Sequence, residues 1–189
     1  ATVAYSDRNV GLLLDAIRRN PEKENTIVVL WSDHGYHIGD KNRTGKATLW
    51  EAANHCNLVI HLPPALKDEG SLKGNGAAKG NGAAKRNVAA RQFGGVKVEV
   101  PVSLQDLYPT LISLAGLERP SHIFGFDLSP LFEDPSMNWR NPVLNTNGEG
   151  DHAIRTAEFR YLRYRNGDQE LYDLGKDPFE YHNLAGDMP

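Results

Sequence analysis

The chain has 189 residues, 40% of them apolar and 24% charged, with a formal net charge of −3 and a single cysteine. This composition is ordinary for a globular domain that buries a substantial core, and the slight negative charge argues against general nucleic-acid affinity. Cys56 alone excludes an internal disulfide framework, and with no signal-peptide pattern and no apolar run near the roughly 20 residues of a spanning helix, neither a membrane nor a nucleic acid is expected as partner.

In chain order, residues 2–20 predict a helix, because Val3, Val10, Leu13, Leu14 and Ile17 fall on one stripe and Asn20-Pro21 ends it. That stripe is expected to pack on a sheet. After a polar turn at 22–25, TIVVLW at 26–31 is a short continuous apolar run, the pattern of a strand buried on both faces of a parallel sheet. Polarity then changes at once to Ser32, Asp33, His34 and Gly35, so a carboxylate and an imidazole stand at the carboxyl end of the strand, where open α/β sheets bind ligands. Gly35 permits a sharp turn. Adjacent Asp33 and His34 can present an oxygen and a nitrogen to one cation, and the loop ends in Lys46, a cation able to hold an anionic group beside it. Each residue alone also fits an ordinary role, a turn aspartate or a hydrogen-bonded histidine. Tyr36 and His37 either line a pocket there or pack on their neighbours.

Thr48 and Glu51 have capping-box spacing, which assigns Glu51 a structural role at the start of a short helix. Residues 57–62 predict a second buried strand, closed by Pro63-Pro64. Residues 70–92 differ in kind: the unit Lys-Gly-Asn-Gly-Ala-Ala occurs twice in tandem, at 73–78 and 79–84, in a low-complexity basic loop. It reads either as a solvated insertion or as an electrostatic lure for an anionic polymer. Alternation at 96–100 predicts a strand. Residues 102–117 predict a helix capped by Ser103, striped by Leu107, Leu111 and Leu114 and ended by Gly116. From residue 142 the pattern turns to short strands, and 159–165 and 170–174 flank Asn166-Gly167-Asp168, a hairpin signal.

Several stretches together resemble the second half of the type I sulfatases, within the alkaline-phosphatase superfamily: NTIVVLWSDHGYHIGDKNRTGKATLWEAANHCNLVIHLP at 25–63, VGLLLDAIRRN before it, then VPVSLQDLYPTLISLAGL, GFDLSPLFEDPS and HAIRTAEFRYLRYRNGDQELYDLGKDPFEYHNLA. The flavour is closest to the iduronate-2-sulfatase-like and choline-sulfatase-like branch, where Asp-His follows the strand. The resemblance implies an α/β fold, part of an alkaline-phosphatase-like sandwich with a small carboxyl-terminal antiparallel β subdomain. Residues 1–140 would belong to the α/β domain and 141–189 to the subdomain.

It also implies a sulfuric ester hydrolase acting on a sulfated sugar or related ester, with one Ca²⁺ as cofactor. Asp33 and His34 match the pair that completes the family's calcium site, and Lys46 matches the lysine that contacts the sulfate and the leaving oxygen. Ca²⁺ prefers oxygen, so His34 is the less comfortable ligand and serves equally to orient or hydrogen-bond the nucleophile. His152 and Arg155 lie in a segment that comes near the substrate pocket in related enzymes, and Tyr36 is a further candidate there. His55-Cys56-Asn57 stands where relatives commonly carry Arg-x-Pro. Cys56 lacks the Pro-Ser-Arg or Ala-Ser-Arg context of a cysteine converted to formylglycine, and the family's nucleophile motif does not occur in these residues. The chain therefore resembles the carboxyl-terminal portion of a sulfatase, whose amino-terminal portion would be its partner and would carry the formylglycine. A periplasmic, secreted or lysosome-like compartment follows from the family. A phosphodiesterase or phosphonate monoester hydrolase activity, or a binding module without chemistry, stays open beside the sulfatase reading.

Overall fold

The computed structural model describes residues 2–66 and 95–187. The tandem Lys-Gly-Asn-Gly-Ala-Ala units at 73–84 lie outside the described residues. The rest falls into two compact units, the described parts of Ala1–Trp31 and Asn57–Gly76 in one and those of Ser32–Cys56 and Ala77–Pro189 in the other.

In the first unit, helix α1 spans Thr2–Arg19 and ends where Asn20 caps a 3-10 turn, Pro21–Asn25, through Glu22 N donating to Asn20 Oδ1 at 2.9 Å. No residue of α1 is buried, and Val3 and Leu13 of its apolar stripe are exposed. The stripe thus has no sheet beneath it among the described residues. Strand β1, Val28–Trp31, is also not the doubly buried parallel strand its composition suggests. It pairs antiparallel with Leu58–His61, numbered β4 in chain order, with Val28 opposite His61 and Trp31 opposite Leu58. Leu30 and Trp31 are about half exposed, at 45% and 52%. An apolar run reports the capacity to be covered on both faces, and only neighbouring elements decide whether that happens.

The second unit opens with a small antiparallel hairpin, β2 (His37–Ile38) and β3 (Thr44–Gly45), joined by a 3-10 turn at Asp40–Asn42. Helix α2 covers Glu51–Asn54. Its N-cap is Trp50 with no side-chain cap, so the expected Thr48–Glu51 capping box does not form. Thr48 and Glu51 have other partners, described below. The alternation at 96–100 likewise yields no strand: its backbone is irregular and Lys97 pairs with Glu99 at 2.7 Å. Ser103 does cap, in a capping box with Asp106 that opens a 3-10 turn at Leu104–Asp106 leading into α3, Leu107–Leu114. The buried Asp106 carboxylate also accepts from Phe126 N at 2.7 Å, and Thr110 Oγ1 accepts from Leu128 N at 2.9 Å. These bonds tie the helix to the segment before α4, Ser129–Glu133.

The carboxyl-terminal part is a four-stranded antiparallel meander of β5 (Val143–Thr146), β6 (His152–Arg155), β7 (Phe159–Arg163) and β8 (Gln169–Asp173). The β7–β8 turn holds Gly167 at φ 95°, a conformation that favours glycine. Alternation sends Ala153, Leu162 and Tyr172 inward onto Leu49, with Trp50, Tyr164 and Leu174 packed around them. Each fully buried leucine in that cluster contributes about 1.5–3 kcal/mol over its exposed state. The segment after Lys46 is thereby bolted to the sheet by apolar contact at Leu49.

Among the described residues, no helix is long and apolar enough to cross a membrane.

Candidate active site

Asp33, His34 and Lys46 meet. The Lys46 ammonium lies 2.7 Å from His34 Nε2, and Asp33 Oδ2 lies 3.3 Å from the same nitrogen. His34 Nδ1 sits 2.6 Å from the carbonyl oxygen of Gly35. A carbonyl only accepts, so Nδ1 carries the proton and Nε2 presents a lone pair, which accepts from Lys46. The Asp33 side chain is 82% exposed, so its oxygens are open to a ligand from outside. The three side chains form a small patch in which the Asp33 carboxylate and the Lys46 ammonium each contact the His34 imidazole.

The hairpin that carries Lys46 is braced from below. His37, 1% exposed, bonds Asp40 through Nδ1 and Thr48 Oγ1 through Nε2 at 2.7 Å, which clips the two ends of the loop together. The His37 contact holds the Asp40 carboxyl below its ordinary range. Gly35 is needed for a different reason from a turn. A Cβ there would overlap the Ala52 carbonyl oxygen, and Gly35 N donates to Ala53 O at 2.9 Å, so the Asp33-His34 backbone lies directly on α2.

Beneath the hairpin is a buried ionic network. Glu51 Oε2 accepts from Arg155 Nε at 3.1 Å and from Arg160, whose Nη1 also donates to the Leu49 carbonyl at 2.7 Å. Glu180, 2% exposed, receives Glu51 N on Oε2 at 2.8 Å and has Arg160 Nε 3.3 Å from Oε1. Burial disfavours charge on Glu51, yet the Arg160 and Arg155 guanidiniums outweigh it and lower its pKa. Burial wins at Glu180 and raises its pKa. Charged groups so placed hold orientation more than they add stability.

The remaining sequence candidates are spread around this frame. Arg155 lies against Glu51, although its Nη1 is buried with no hydrogen-bond partner, so the guanidinium is not exhausted. His152, exposed, pairs its Nδ1 with Thr146 Oγ1 at 3.0 Å. The two lie three positions apart on β6 and do not share a face. Tyr36, half exposed, lines a cavity of about 320 Å³ with Asp40, Lys41, Glu51, His55 and Phe179. Sequence reasoning missed Arg160, Glu180, Lys41, Trp50 and Glu170. One signal was present for Arg160: in Phe-Arg-Tyr-Leu-Arg it shares the inward face with Leu162, and a charge on a buried face demands a buried partner.

The sulfatase family profile matches residues 1–117, and that for the carboxyl-terminal part of N-sulphoglucosamine sulphohydrolase matches residues 94–189. The chain belongs to the sulfatase family. A sulfatase of Formosa agariphila is 30% identical over 188 residues, covering 100% of this chain and 32% of that relative. Thus the chain spans about a third of the length of the curated sulfatases it matches. Among solved structures, a protein in complex with its substrate D-glucosamine-2-N,6-O-disulfate superposes with a TM-score of 0.71 at 26% identity, covering 98% of this chain and 35% of its own. A phosphonate monoester hydrolase of Agrobacterium radiobacter gives 0.69 at 25% identity, covering 98% and 36%. The fold is therefore that of the alkaline-phosphatase-like sulfatases, and the four-stranded antiparallel sheet is its carboxyl-terminal part, in line with the expectation from sequence.

As to metal, no group of three or more His, Cys, Asp or Glu among the described residues of this sulfatase chain is placed to hold an ion. Asp33 and His34 are the two donors that converge. An exposed carboxylate oxygen suits a hard cation such as Ca²⁺, whereas an imidazole nitrogen suits it less.

Proposed function

We propose that this chain supplies part of the active site of a sulfuric ester hydrolase acting on a sulfated sugar or a related sulfate ester. The observation that carries the reading is the contact of Lys46 with His34 beside the open Asp33 carboxylate. Lys46 brings a fixed ammonium to a site where the departing alkoxide needs charge stabilisation or a proton, and its link to His34 aims it. His34, with Nδ1–H tied to Gly35, offers its lone pair in one direction only. Asp33 would hold one edge of a Ca²⁺ shell, and His34 would join it by turning its single Nε2 lone pair from Lys46 to the cation, the other ligands coming from sequence outside these residues together with the formylglycine nucleophile. When bound, such a cation polarises the sulfuryl oxygens. Tyr36, His152 and Arg155 are proposed to contact the substrate beyond its sulfate.

A second reading, a phosphodiesterase or phosphonate monoester hydrolase, is favoured by the likeness to the Agrobacterium radiobacter enzyme. Matched sulfate, phosphate and phosphonate esters assayed on the complete protein separate the two. Sulfate-ester turnover dominating, and falling in Asp33→Ala and Lys46→Ala, is the result expected. Turnover confined to phosphorus esters overturns the sulfatase reading.

A further inference from the structure

Lys41 occupies an unusual position. It sits in the turn between β2 and β3 with φ 51° and ψ 29°, and Asn42 follows at φ 54°. Two consecutive non-glycine residues in the left-handed region are strained, and such a conformation persists only where surrounding contacts impose it. Backbone bonds close the turn itself, Asn42 N to Gly39 O at 3.2 Å and Gly39 N to Arg43 O at 2.8 Å, and Arg43 lies over the Trp50 ring at 5.5 Å; the contacts that reach from the turn to β8 are at the end of the Lys41 side chain. Its ammonium lies 4.6 Å from the ring centroids of both Trp50 and Tyr172, donates to Tyr172 Oη at 3.3 Å and donates to the Glu180 carbonyl. The walls of this cage are themselves fixed. Trp50 Nε1 and Tyr172 Oη donate to Glu170 Oε2 at 2.7 and 2.6 Å, and Tyr164 Oη donates to Oε1 at 3.1 Å. Glu180 adopts φ 60°, which turns its carbonyl to Lys41 while its side chain stays in the Arg160 and Glu51 network.

Lys46 leaves the same hairpin just after β3 and is exposed, so its backbone rather than surrounding packing must aim it at His34. His37 closes the base of the hairpin, but Lys41 is what ties its tip to β8. We propose that Lys41 is a positioning residue for Lys46: its clamped ammonium holds the hairpin in the register that keeps the Lys46 ammonium on the reacting group. The proposal rests on the assignment of Lys46 to the leaving oxygen. A neutral side chain of the same length would keep the stem but lose the cation–π and hydrogen-bond hold on both walls.

The test is a thermodynamic cycle on the complete protein, with Lys41→Met, Lys46→Ala and the double variant assayed on a sugar sulfate and an activated aryl sulfate. Lys41→Met is expected to lower kcat on the sugar sulfate about ten- to a hundredfold, as for a misplaced group, with KM little changed and a smaller loss on the aryl sulfate. Lys41→Arg should restore most of the loss. In the Lys46→Ala background, Lys41→Met should add less than about twofold, because coupled residues are not additive. Losses that multiply in the double variant, or that are equal on both esters, overturn the proposal and leave Lys41 a residue of the fold. Tyr172→Phe keeps the ring and removes one oxygen that accepts from Lys41, so it should show the same leaving-group signature at smaller size even if Lys41→Met folds poorly. An unchanged kcat in Lys46→Ala would sink the Lys46 assignment itself, an outcome distinct from additivity.

Discussion

At the scale of single residues, exposure separates the roles of adjacent side chains. Asp33 is 82% exposed at the side chain and His34 33%, so the carboxylate faces outward while the imidazole is anchored by the Gly35 carbonyl. If Asp33 holds a calcium ion, Asp33→Ala in the complete protein should weaken metal affinity by at least about 100-fold, more than loss of an outer partner would cost. Calcium content after dialysis and recovery of turnover with added calcium measure this. Full metal content with unchanged turnover would remove Asp33 from the shell. Lys46→Ala should lower kcat about 10²- to 10³-fold on a sugar sulfate, the usual cost of one donor on developing negative charge. An aryl sulfate whose leaving group needs no proton should lose much less, and equal losses would argue against a leaving-group role.

At the scale of elements, the hairpin and α2 stand on the β-meander through Glu51, Arg160, Arg155 and Glu180. Breaking such a buried pair by removing one partner costs about 3–5 kcal/mol, because the other charge stays buried. Glu51→Gln should therefore lower the urea midpoint markedly at neutral pH. The pH dependence has a definite sign. The Glu51 carboxyl is held below its ordinary 4.5 on folding, since the guanidiniums outweigh burial. It contributes stability above 4.5 that is lost as pH falls through the lowered value. Glu180, raised by burial, runs the other way and is relieved as pH falls through its raised value. Going from about pH 7 to about pH 3.5, wild type should thus lose more stability than Glu51→Gln, which lacks the Glu51 contribution and shares the other carboxylates. Parallel pH profiles for the two proteins would show that folding does not lower the Glu51 pKa.

At the scale of the molecule, the two units differ in how much they bury. The meander closes on Leu49, Ala153, Leu162 and Tyr172, all 4% exposed or less, whereas α1 has no buried residue. Opening free energies follow burial and buried hydrogen bonds. In this 189-residue chain, amides of β6 and β7 should exchange slowest and those of α1 orders of magnitude faster. Hydrogen exchange read by mass spectrometry or NMR checks this, and equal protection of α1 and β7 would contradict the burial pattern. Leu162→Ala should cost about 2–5 kcal/mol as a core truncation, while Leu13→Ala, at 67% exposed, should cost little in the same chain.

Local chemistry was legible in the residues themselves. Pattern and turn chemistry act over a few positions, so helix α1, the Ser103 cap, the Asn-Gly hairpin and the meander follow from short stretches of residues. The ordered set of motifs also named the family, and the Asp-His pair and Lys46 stood out as chemistry without an obvious packing role. What the tertiary structure alone decided was pairing. Whether an apolar strand such as β1 lies parallel and covered or antiparallel and half exposed depends on neighbours that its own residues do not specify. Thr48 and Glu51 have capping-box spacing, yet His37, 11 residues before Thr48, and two arginines from far along the chain offered them stronger partners. A charge-assisted bond to a guanidinium exceeds a cap in energy. Likewise no local pattern reveals that Lys41, a turn lysine by sequence, is held between Trp50 and Tyr172, because those rings are brought together only when β8 packs on the segment that follows Lys46.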